Sequence, residues 1–311
     1  MAVRPSERSE SAAMADLLRR QVERWSRGPS AWASKEFVAD TFDMPGMDPA
    51  NDYWSVDLEG RLVGGIAVVA VPPYSEVMGY SMVDPDLTAG DAAEVHAALV
   101  DRADLVARRY AARAEPGVEP RLVLTVAEAN PLRAYLAANG FGYLRSYWGM
   151  RRDVTPNEEI PPLPDGFRAR PVDPDADLDA VASVVTAFED HHGDQVFSAE
   201  QMRHFMAGPG ARPDLSRIAE DAEGPCSMTL CSIDSDGGRV DIVATLRRAR
   251  GRGLATALLR TSFGLLARAG CEVVRLTVDA DNPTGALGVY QRAGMTQESE
   301  NQLWARPLSR A

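Results

Sequence analysis

The sequence is short of cysteine and histidine, and this shortage excludes two kinds of stabilised fold. Cys226, Cys231 and Cys271 are the only cysteines in 311 residues, none forms a CxxC pair, and four histidines accompany them. A disulfide framework needs an even set of spaced cysteines, and a structural zinc site needs clustered cysteine and histidine ligands. The sequence therefore predicts neither disulfides nor a metal site.

Positive charge is also scarce, and almost all of it is arginine. Lys35 is the only lysine, and the formal net charge at pH 7 is -12. A surface that binds nucleic acid needs clustered cations, so this balance argues against a nucleic-acid partner. We interpret the preference for arginine as the codon bias of a GC-rich genome rather than as a functional signal.

Long apolar runs are missing as well. No segment approaches the roughly 20 apolar residues that span a bilayer, and residues 1–21 contain no uninterrupted apolar stretch typical of a signal peptide. We therefore expect no membrane partner and a cytoplasmic location. A hydrophobic fraction of 45% and a charged fraction of 25% are typical of globular domains, and the length favours two of them.

What the sequence does contain is a strand, a basic glycine turn and a helix between residues 240 and 264. The apolar segment 240–246 predicts the strand, residues 247–253 the turn, and apolar residues at helical spacing from 254 onward the helix. The first N–H groups of such a helix are unpaired and lie at the positive end of its dipole, so they favour a pyrophosphate. Gly251 and Gly253 let the main chain approach a ligand closely. Taken alone, however, a basic glycine turn is as typical of a structural tight turn, and the lysine of a P-loop and the third glycine of a dinucleotide fingerprint are absent.

A second strand, turn and helix follow directly. Residues 271–278 alternate as a strand does, and residues 279–295 predict a turn and a helix that glycine stops. Together the two segments resemble the GNAT acetyltransferase superfamily. In that family an Arg/Gln-x-x-Gly-x-Gly/Ala turn holds the pyrophosphate of coenzyme A, and residues 250–255 (RGRGLA) match it. The family's second signature is matched by Asn282, Pro283, Tyr290 and Gly294-Met295.

The resemblance implies an α+β fold of two GNAT-like domains, each with a mixed, mostly antiparallel sheet flanked by helices, and acetyl-CoA as the cofactor. It implies that main-chain groups of the strand before the turn polarise the thioester carbonyl and pair with pantetheine, and that the turn holds the pyrophosphate. Asn282 either bonds the pantetheine arm or caps its helix. The cofactor contacts so assigned are Val243, Ala244, Thr245, Arg250, Gly251, Arg252, Gly253, Leu254, Ala255, Thr256 and Asn282.

The resemblance also implies roles for side chains in the reaction. Tyr290 matches the tyrosine whose phenol protonates the departing thiolate, although a tyrosine on an amphipathic helix is otherwise typical of a core. The family's base is usually a glutamate on the cofactor strand, often a little earlier, where this chain has Arg239. Asp241 is the nearest carboxylate, and strand alternation would place it on the same face as Val243. It acts through water, binds a cationic substrate or is a solvated edge residue, and the sequence leaves these three open.

An acidic and histidine-rich loop follows the first helix of the second half. In the family this loop lines the acceptor pocket, so Glu189, His191 and His192 are predicted substrate contacts. The alternative is an ordinary solvated loop, which is the usual setting of charged residues.

The first half of the chain repeats the same order of segments with altered residues. Asn130-Pro131 corresponds to Asn282-Pro283, but Leu136 stands where the second half has Tyr290. The turn at residues 84–91 contains three aspartates and no arginine, so it would repel a pyrophosphate. We therefore predict a degenerate first domain at 1–152, a linker at 153–165 and an acetyl-CoA-binding domain at 166–311.

The leading hypothesis is an acetyl-CoA-dependent N-acetyltransferase that transfers the acetyl group directly to a small-molecule primary amine, with the second domain active. The tandem layout is similar to that of the mycothiol synthases, which acetylate a cysteinyl amine of a pseudodisaccharide thiol precursor; an antibiotic or another small amine suits the pattern equally. The alternatives are a non-catalytic acyl-CoA sensor or scaffold and a protein or peptide acetyltransferase. A monomer or a homodimer is expected.

Overall fold

The chain forms strands and helices in the α+β order that the sequence predicts. The structure is a computed structural model and describes residues 1–26, 28–29, 33–188, 197–281 and 285–308. The strands are β1 (Ala2–Pro5), β2 (Tyr53–Leu58), β3 (Arg61–Ala70), β4 (Glu76–Val83), β5 (Arg121–Ala127), β6 (Gly142–Asp153), β7 (Arg168–Pro171), β8 (Arg217–Asp221), β9 (Gly224–Asp234), β10 (Gly237–Thr245), β11 (Val273–Asp279) and β12 (Thr296–Pro307). The helices are α1 (Ser11–Gln21), α2 (Lys35–Thr41), α3 (Pro49–Asp52), α4 (Ala89–Ala111), α5 (Leu132–Ala138), α6 (Leu178–Phe188), α7 (Ala199–Ala207), α8 (Leu254–Arg268) and α9 (Ala286–Arg292).

Two compact units divide the chain. The first comprises Met1–Tyr147 with Ser299–Ala311, and the second comprises Trp148–Glu298. Strand order in the first unit is β1-β2-β3-β4-β5-β12, and in the second it is β6-β11-β10-β9-β8-β7. Only β4 with β5 and β10 with β11 are described as parallel pairs. The prediction of mixed, mostly antiparallel sheets is therefore confirmed.

The first unit contains an apolar core between its sheet and α4. The hairpin of β2 and β3 turns through Glu59 and Gly60, whose φ angles are +52° and +77°. Two consecutive positive φ angles are typical of a tight hairpin turn. Helix α4 packs on β3 closely enough that a Cβ on Gly64 would lie 2.7 Å from a methyl of Val95. The core on this side of the sheet is continuous from β2 to β12.

The last strand of the chain belongs to the first unit. Residues 301–307 of β12 pair antiparallel with β5, and Leu308 and Trp304 pack in the core of the first unit. The predicted boundary gave this strand to the second domain because it follows that domain in the chain. Its pairing depends on β5, which precedes it by about 175 residues along the printed sequence.

The segment predicted as a linker packs on the second unit. The N–H of Val154 donates to the carbonyl of Glu272 over 2.9 Å, and the Val154 side chain is buried. Ile160 lies against Gly264 of α8, where an added Cβ would approach within 2.5 Å of it. Residues 154–160 are thus part of the second unit's packing rather than a free connection.

Three apolar clusters of described residues hold the second unit around its sheet, and two of them lie under pairs of helices. One lies under α8 and α9, and the other lies under α6 and α7. Of the helices in the described part of the chain, none is both long and apolar enough to cross a membrane.

Candidate active site

The parallel strands β10 and β11 separate soon after they begin to pair. Gly238 is opposite Val274 and Arg239 is opposite Arg275, and no later pair joins these strands in the described register. From Ile242 to Thr245, β10 pairs only with β9. The other edge of this segment is therefore open, and its main-chain groups are available to an extended ligand.

A β-bulge at Asp241 changes which residues share a face. The pairing of β10 with β9 shifts between Val240 and Ile242. Val240 and Val243 both pack in the cluster under α8, whereas regular alternation would place residues three apart on opposite faces. The prediction that Asp241 shares a face with Val243 is therefore wrong, because the bulge inserts one residue between them.

The glycine turn presents a row of unpaired N–H groups. Gly251 and Gly253 have φ angles of +74° and +79°, and Gly253 is the N-cap of α8 without any side-chain cap. In the described part of the chain, no N–H from Gly251 to Thr256 donates to an acceptor; the first to do so is that of Ala257. No acidic side chain lies in the first turn of α8. These features form an anion site of main-chain donors at the positive end of a helix.

The arginines around the turn are held by other parts of the unit. The Nε of Arg250 donates to the carbonyl of Thr245 over 2.9 Å. Arg252 donates to the carbonyl of Asp165 over 3.1 Å, and its guanidinium lies 4.2 Å from the centre of the Phe167 ring. This cation–π contact directs the side chain toward residues 165–167. Arg252 therefore contributes its main-chain N–H to the turn, while its guanidinium is engaged elsewhere.

Tyr290 is buried on α9, and its hydroxyl lacks a partner among the described residues. The residue is 6% exposed and packs in the same apolar cluster as Val243. No hydrogen bond of its hydroxyl occurs among the described residues, although buried tyrosine hydroxyls usually find one. Burial raises the pKa of Tyr290 to about 12. At neutral pH this phenol is protonated, so it is a proton donor without an acceptor.

Asp241 combines an exposed main chain with a largely buried carboxyl group. Its side chain is 20% exposed, and its Oδ1 lies 3.5 Å from the Nε of Arg239. Burial raises the pKa of Asp241, while Arg239 and a hydrogen bond from Ser232 oppose that rise. A carboxylate with a raised pKa is a stronger base than an ordinary surface aspartate.

Four predicted site residues cannot be placed. Glu189, His191, His192 and Asn282 lie outside the described residues. Of the other predicted residues, Tyr290 and Val243 meet in one cluster, the turn residues lie at the start of α8, and Asp241 lies on β10 at the bulge.

Asp165 and Phe167 hold Arg252, and the sequence analysis did not identify either of them. They precede Arg252 by more than 80 residues in the printed sequence, and neither belongs to a motif. Gly285, the N-cap of α9 with a φ of +75°, was also not singled out. Its position directly before the helix of Tyr290 was the available signal, because glycine at a helix boundary favours positive φ.

The first unit replaces the open turn with a buried carboxylate. Asp84, at the end of β4, has a side chain that is 1% exposed and accepts hydrogen bonds from Arg20 and Arg61. It also accepts from the N–H of Asp86. Burial alone would raise the pKa of Asp84, but the hydrogen bonds from Arg20 and the Asp86 N–H hold it below the usual value.

At the start of the next helix, α4, a main-chain N–H is capped by a nearby side chain. The N-cap Thr88 of α4 accepts from the N–H of Asp91 over 3.2 Å and donates to the Asp91 carboxylate over 2.7 Å. A carboxylate in the first turn of α4 already satisfies the helix dipole. An anion that would bind the start of α8 therefore meets negative charge at the start of α4.

We expect Asp84→Asn to lower the free energy of unfolding by roughly 3 kcal/mol, because removing one partner leaves buried groups unpaired. Urea denaturation measures the change. Asp84 has a lowered pKa, so its contribution is complete at neutral pH and is lost as the pH falls through that lowered pKa. The difference between wild type and variant should therefore shrink in acid.

The matched control for this change is Asp86→Asn. The Asp86 carboxylate also contacts Arg20, at 3.0 Å, but its side chain is 80% exposed. Exposed ion pairs contribute about 0–1 kcal/mol, so this variant should unfold at nearly the wild-type urea concentration. Equal destabilisation by both variants would contradict the structural role of Asp84.

Known proteins resemble this chain in sequence, most clearly in its second half. Residues 184–295 match the model of the Acetyltransferase (GNAT) family. A mycothiol acetyltransferase of Thermobispora bispora is 31% identical over 186 residues, which cover 57% of this chain and 62% of that relative. The matched part of the chain thus spans less than two thirds of that relative's length.

Two solved structures resemble almost the whole chain. One is a GCN5-related N-acetyltransferase from Sphaerobacter thermophilus, with a TM-score of 0.77 at 23% identity, covering 99% of this chain and 95% of that one. The other is a tandem GNAT protein from the clavulanic acid biosynthesis pathway, with a TM-score of 0.69 at 17% identity, covering 100% and 99%. At these identities the likeness establishes the fold alone.

Proposed function

Since residues 184–295 match the Acetyltransferase (GNAT) family, we propose that the chain transfers an acetyl group from acetyl-CoA to the primary amine of a small molecule. The reaction takes place in the second unit. The observation that carries this assignment is the row of unpaired N–H groups from Gly251 to Thr256 in the described structure. The corresponding turn of the first unit is closed by Asp84 and Thr88.

The residues of the second unit fit coenzyme A. Main-chain donors at the start of α8 suit a diphosphate, and the open edge of β10 from Val243 to Thr245 suits the amides of a pantetheine arm. When bound, acetyl-CoA supplies an activated thioester. The site thus offers both of the contacts that such a cofactor needs.

Two side chains on opposite faces of the sheet carry out the two proton transfers: one protonates the leaving group, and the other accepts a proton from the amine. The hydroxyl of Tyr290, which has no partner among the described residues, lies with Val243 under α8 and would donate its proton to the sulfur of the departing thiolate. Asp241 lies on the opposite face, beyond the bulge, and accepts a proton from the amine. The gap between β10 and β11 joins the two faces, so amine and thioester approach each other from opposite sides.

A screen of amines tests this function. Purified protein with acetyl-CoA is mixed with a panel of primary amines, including the cysteinyl precursor of mycothiol, and thiol release is followed. We expect release that depends on the amine, with an N-acetylated product identified by mass spectrometry. Binding of acetyl-CoA without turnover of any amine would instead favour a sensor, and turnover of peptides alone would favour a protein acetyltransferase.

We expect Asp241→Asn to lower kcat/KM by about 100-fold at neutral pH, because general-base catalysis contributes roughly 10²–10⁴-fold. The wild-type rate should fall as the pH drops through the raised pKa of Asp241, since protonation removes the base. The acceptor amine ionises identically with both enzymes, so the difference between their pH profiles isolates Asp241. Identical profiles would contradict its role as the base.

The cytoplasmic location and the oligomeric state, monomer or homodimer, stay predictions from the sequence. The mycothiol precursor stays a candidate acceptor because relatives of this chain are named mycothiol acetyltransferase. The panel above is designed to compare it with other amines.

A further inference from the structure

Arg239 on β10 makes one long ionic contact and leaves its other side-chain donors unused among the described residues. Its side chain is only 27% exposed, and its ionic contact in the described structure is the one with Asp241, at 3.5 Å from Nε. Neither of its terminal nitrogens has an acceptor among the described residues. A guanidinium carries five N–H donors in a fixed fork, and a largely buried one normally uses several of them.

The neighbouring arginine shows what a satisfied guanidinium looks like in this sheet. Arg275 is opposite Arg239 in the last pair that joins β10 to β11. It donates to both carboxylate oxygens of Glu298, over 2.8 and 3.2 Å, and to the carbonyl of Asp236 over 2.6 Å. Two cations thus lie side by side in the described structure: the one on β11 binds both oxygens of a carboxylate, whereas the one on β10 makes a single 3.5 Å contact with Asp241.

Arg239 lies beside Asp241, the residue proposed to accept the proton of the amine. It precedes the bulge, and its guanidinium shares the face of Asp241, the proposed base. Both residues lie where β10 leaves β11, at the opening through which the acceptor reaches the thioester. When Asp241 holds the amine, the nearest substituents of that amine are therefore within reach of the terminal nitrogens of Arg239.

We propose that Arg239 binds a carboxylate of the acceptor, and that the acceptor is an amino acid-like molecule whose carboxylate is close to its amine. This inference rests on the proposed function and specifies its substrate class. A carboxylate matches the guanidinium fork through two parallel hydrogen bonds. Its arrival replaces the long contact with Asp241 and leaves that aspartate to accept the proton of the amine.

The first experiment compares α-amino acids with their carboxamides as acceptors for wild type and Arg239→Gln. Rates are referred to the unprotonated amine, because the two kinds of acceptor differ in amine pKa. For wild type we expect kcat/KM to be about 10- to 100-fold higher for the carboxylates, as charge-assisted hydrogen bonds allow. The Arg239→Gln enzyme should lose this preference through a larger rise in KM for carboxylates than for carboxamides, because any change in the basicity of Asp241 affects both acceptors equally.

Two further variants separate carboxylate binding from loss of charge or of folding. Arg239→Lys keeps the charge without the fork and should restore part of the preference. Arg212→Gln removes an arginine that Asp214 already binds, at 2.7 and 2.8 Å, and should leave the preference intact. The proposal would be overturned if the wild-type enzyme preferred carboxamides. It would also be overturned if Arg239→Gln lowered kcat/KM equally for carboxylates and carboxamides.

A binding measurement distinguishes this proposal from the proposed function itself. Titration calorimetry with an N-acetyl amino acid and with its amide requires no turnover. Binding of the acid that is at least about 10-fold tighter, and that Arg239→Gln abolishes, supports the carboxylate site even if no acceptor in the panel reacts. Equal binding of acid and amide overturns the site, whereas turnover of amines without carboxylate preference overturns only this inference and leaves acetyl transfer in place.

Discussion

Replacement of Tyr290 by phenylalanine should lower kcat by about 10²- to 10⁴-fold, which is the usual contribution of a positioned general acid. The hydroxyl is the only group removed, and in the described structure it contacts no other polar group of the chain. The affinity for acetyl-CoA should therefore be unchanged, since the proposed cofactor contacts are main-chain groups of β10 and α8. Steady-state thiol release gives kcat, and calorimetry gives the affinity.

The same variant distinguishes catalysis from packing. Tyr290 is buried with its hydroxyl unpartnered, so phenylalanine should leave the free energy of unfolding unchanged or slightly higher. Tyr135→Phe on α5 of the first unit is the matched control, and it should alter neither kcat nor affinity. If Tyr290→Phe retains wild-type kcat, the tyrosine is only a core aromatic. Another group then protonates the departing thiolate.

Replacement of Gly253 by aspartate should weaken acetyl-CoA binding by about 100-fold or more. A carboxylate at the N-cap of α8 would lie near the bound diphosphate, and two unit charges about 5 Å apart repel by roughly 3 kcal/mol at an effective dielectric constant near 20. The space beside Gly253 is open, since an added Cβ meets no atom within 4 Å. Calorimetry at low and high salt checks the result, because salt should weaken part of the repulsion.

The asparagine variant at the same position controls for shape. Gly253 has a φ of +79°, a conformation that asparagine and aspartate tolerate better than other residues with a side chain. Gly253→Asn therefore has the same strain and nearly the same shape without the charge. We expect it to bind acetyl-CoA within about 10-fold of wild type. Equal affinities for the aspartate and asparagine variants would argue against a diphosphate at the start of α8.

The contrast between the glycine turn before α8 and the acidic turn at residues 84–91 was readable from the sequence because it is local. A strand, a turn and a helix follow one another within a few residues, so the residue types in the turn determine how the helix begins. Glycines leave the N–H groups of α8 unpaired, and Thr88 with Asp91 closes those of α4. The α+β class and the mixed sheets were implied by the resemblance to the GNAT superfamily, and the observed strand order agrees with them.

The bulge at Asp241 was not readable in this way. An extra residue in one strand has no signature in β10 alone, because it is defined by the register with β9. Its effect on the site is large, since it moves Asp241 to the face opposite Val243. The difference between the long contact of Arg239 and the close pairing of Arg275 with Glu298 likewise appears only in the tertiary structure.

The sequence by itself determined the order of strands and helices and the difference between the two turns. These depend on interactions between residues close together in the chain. Only the tertiary structure decided that β12 completes the first unit, that residues 154–160 pack on the second unit, and that Asp241 and Tyr290 lie on opposite faces. Strand register and side-chain burial are set by partners that can lie more than a hundred residues away, and no local pattern encodes them.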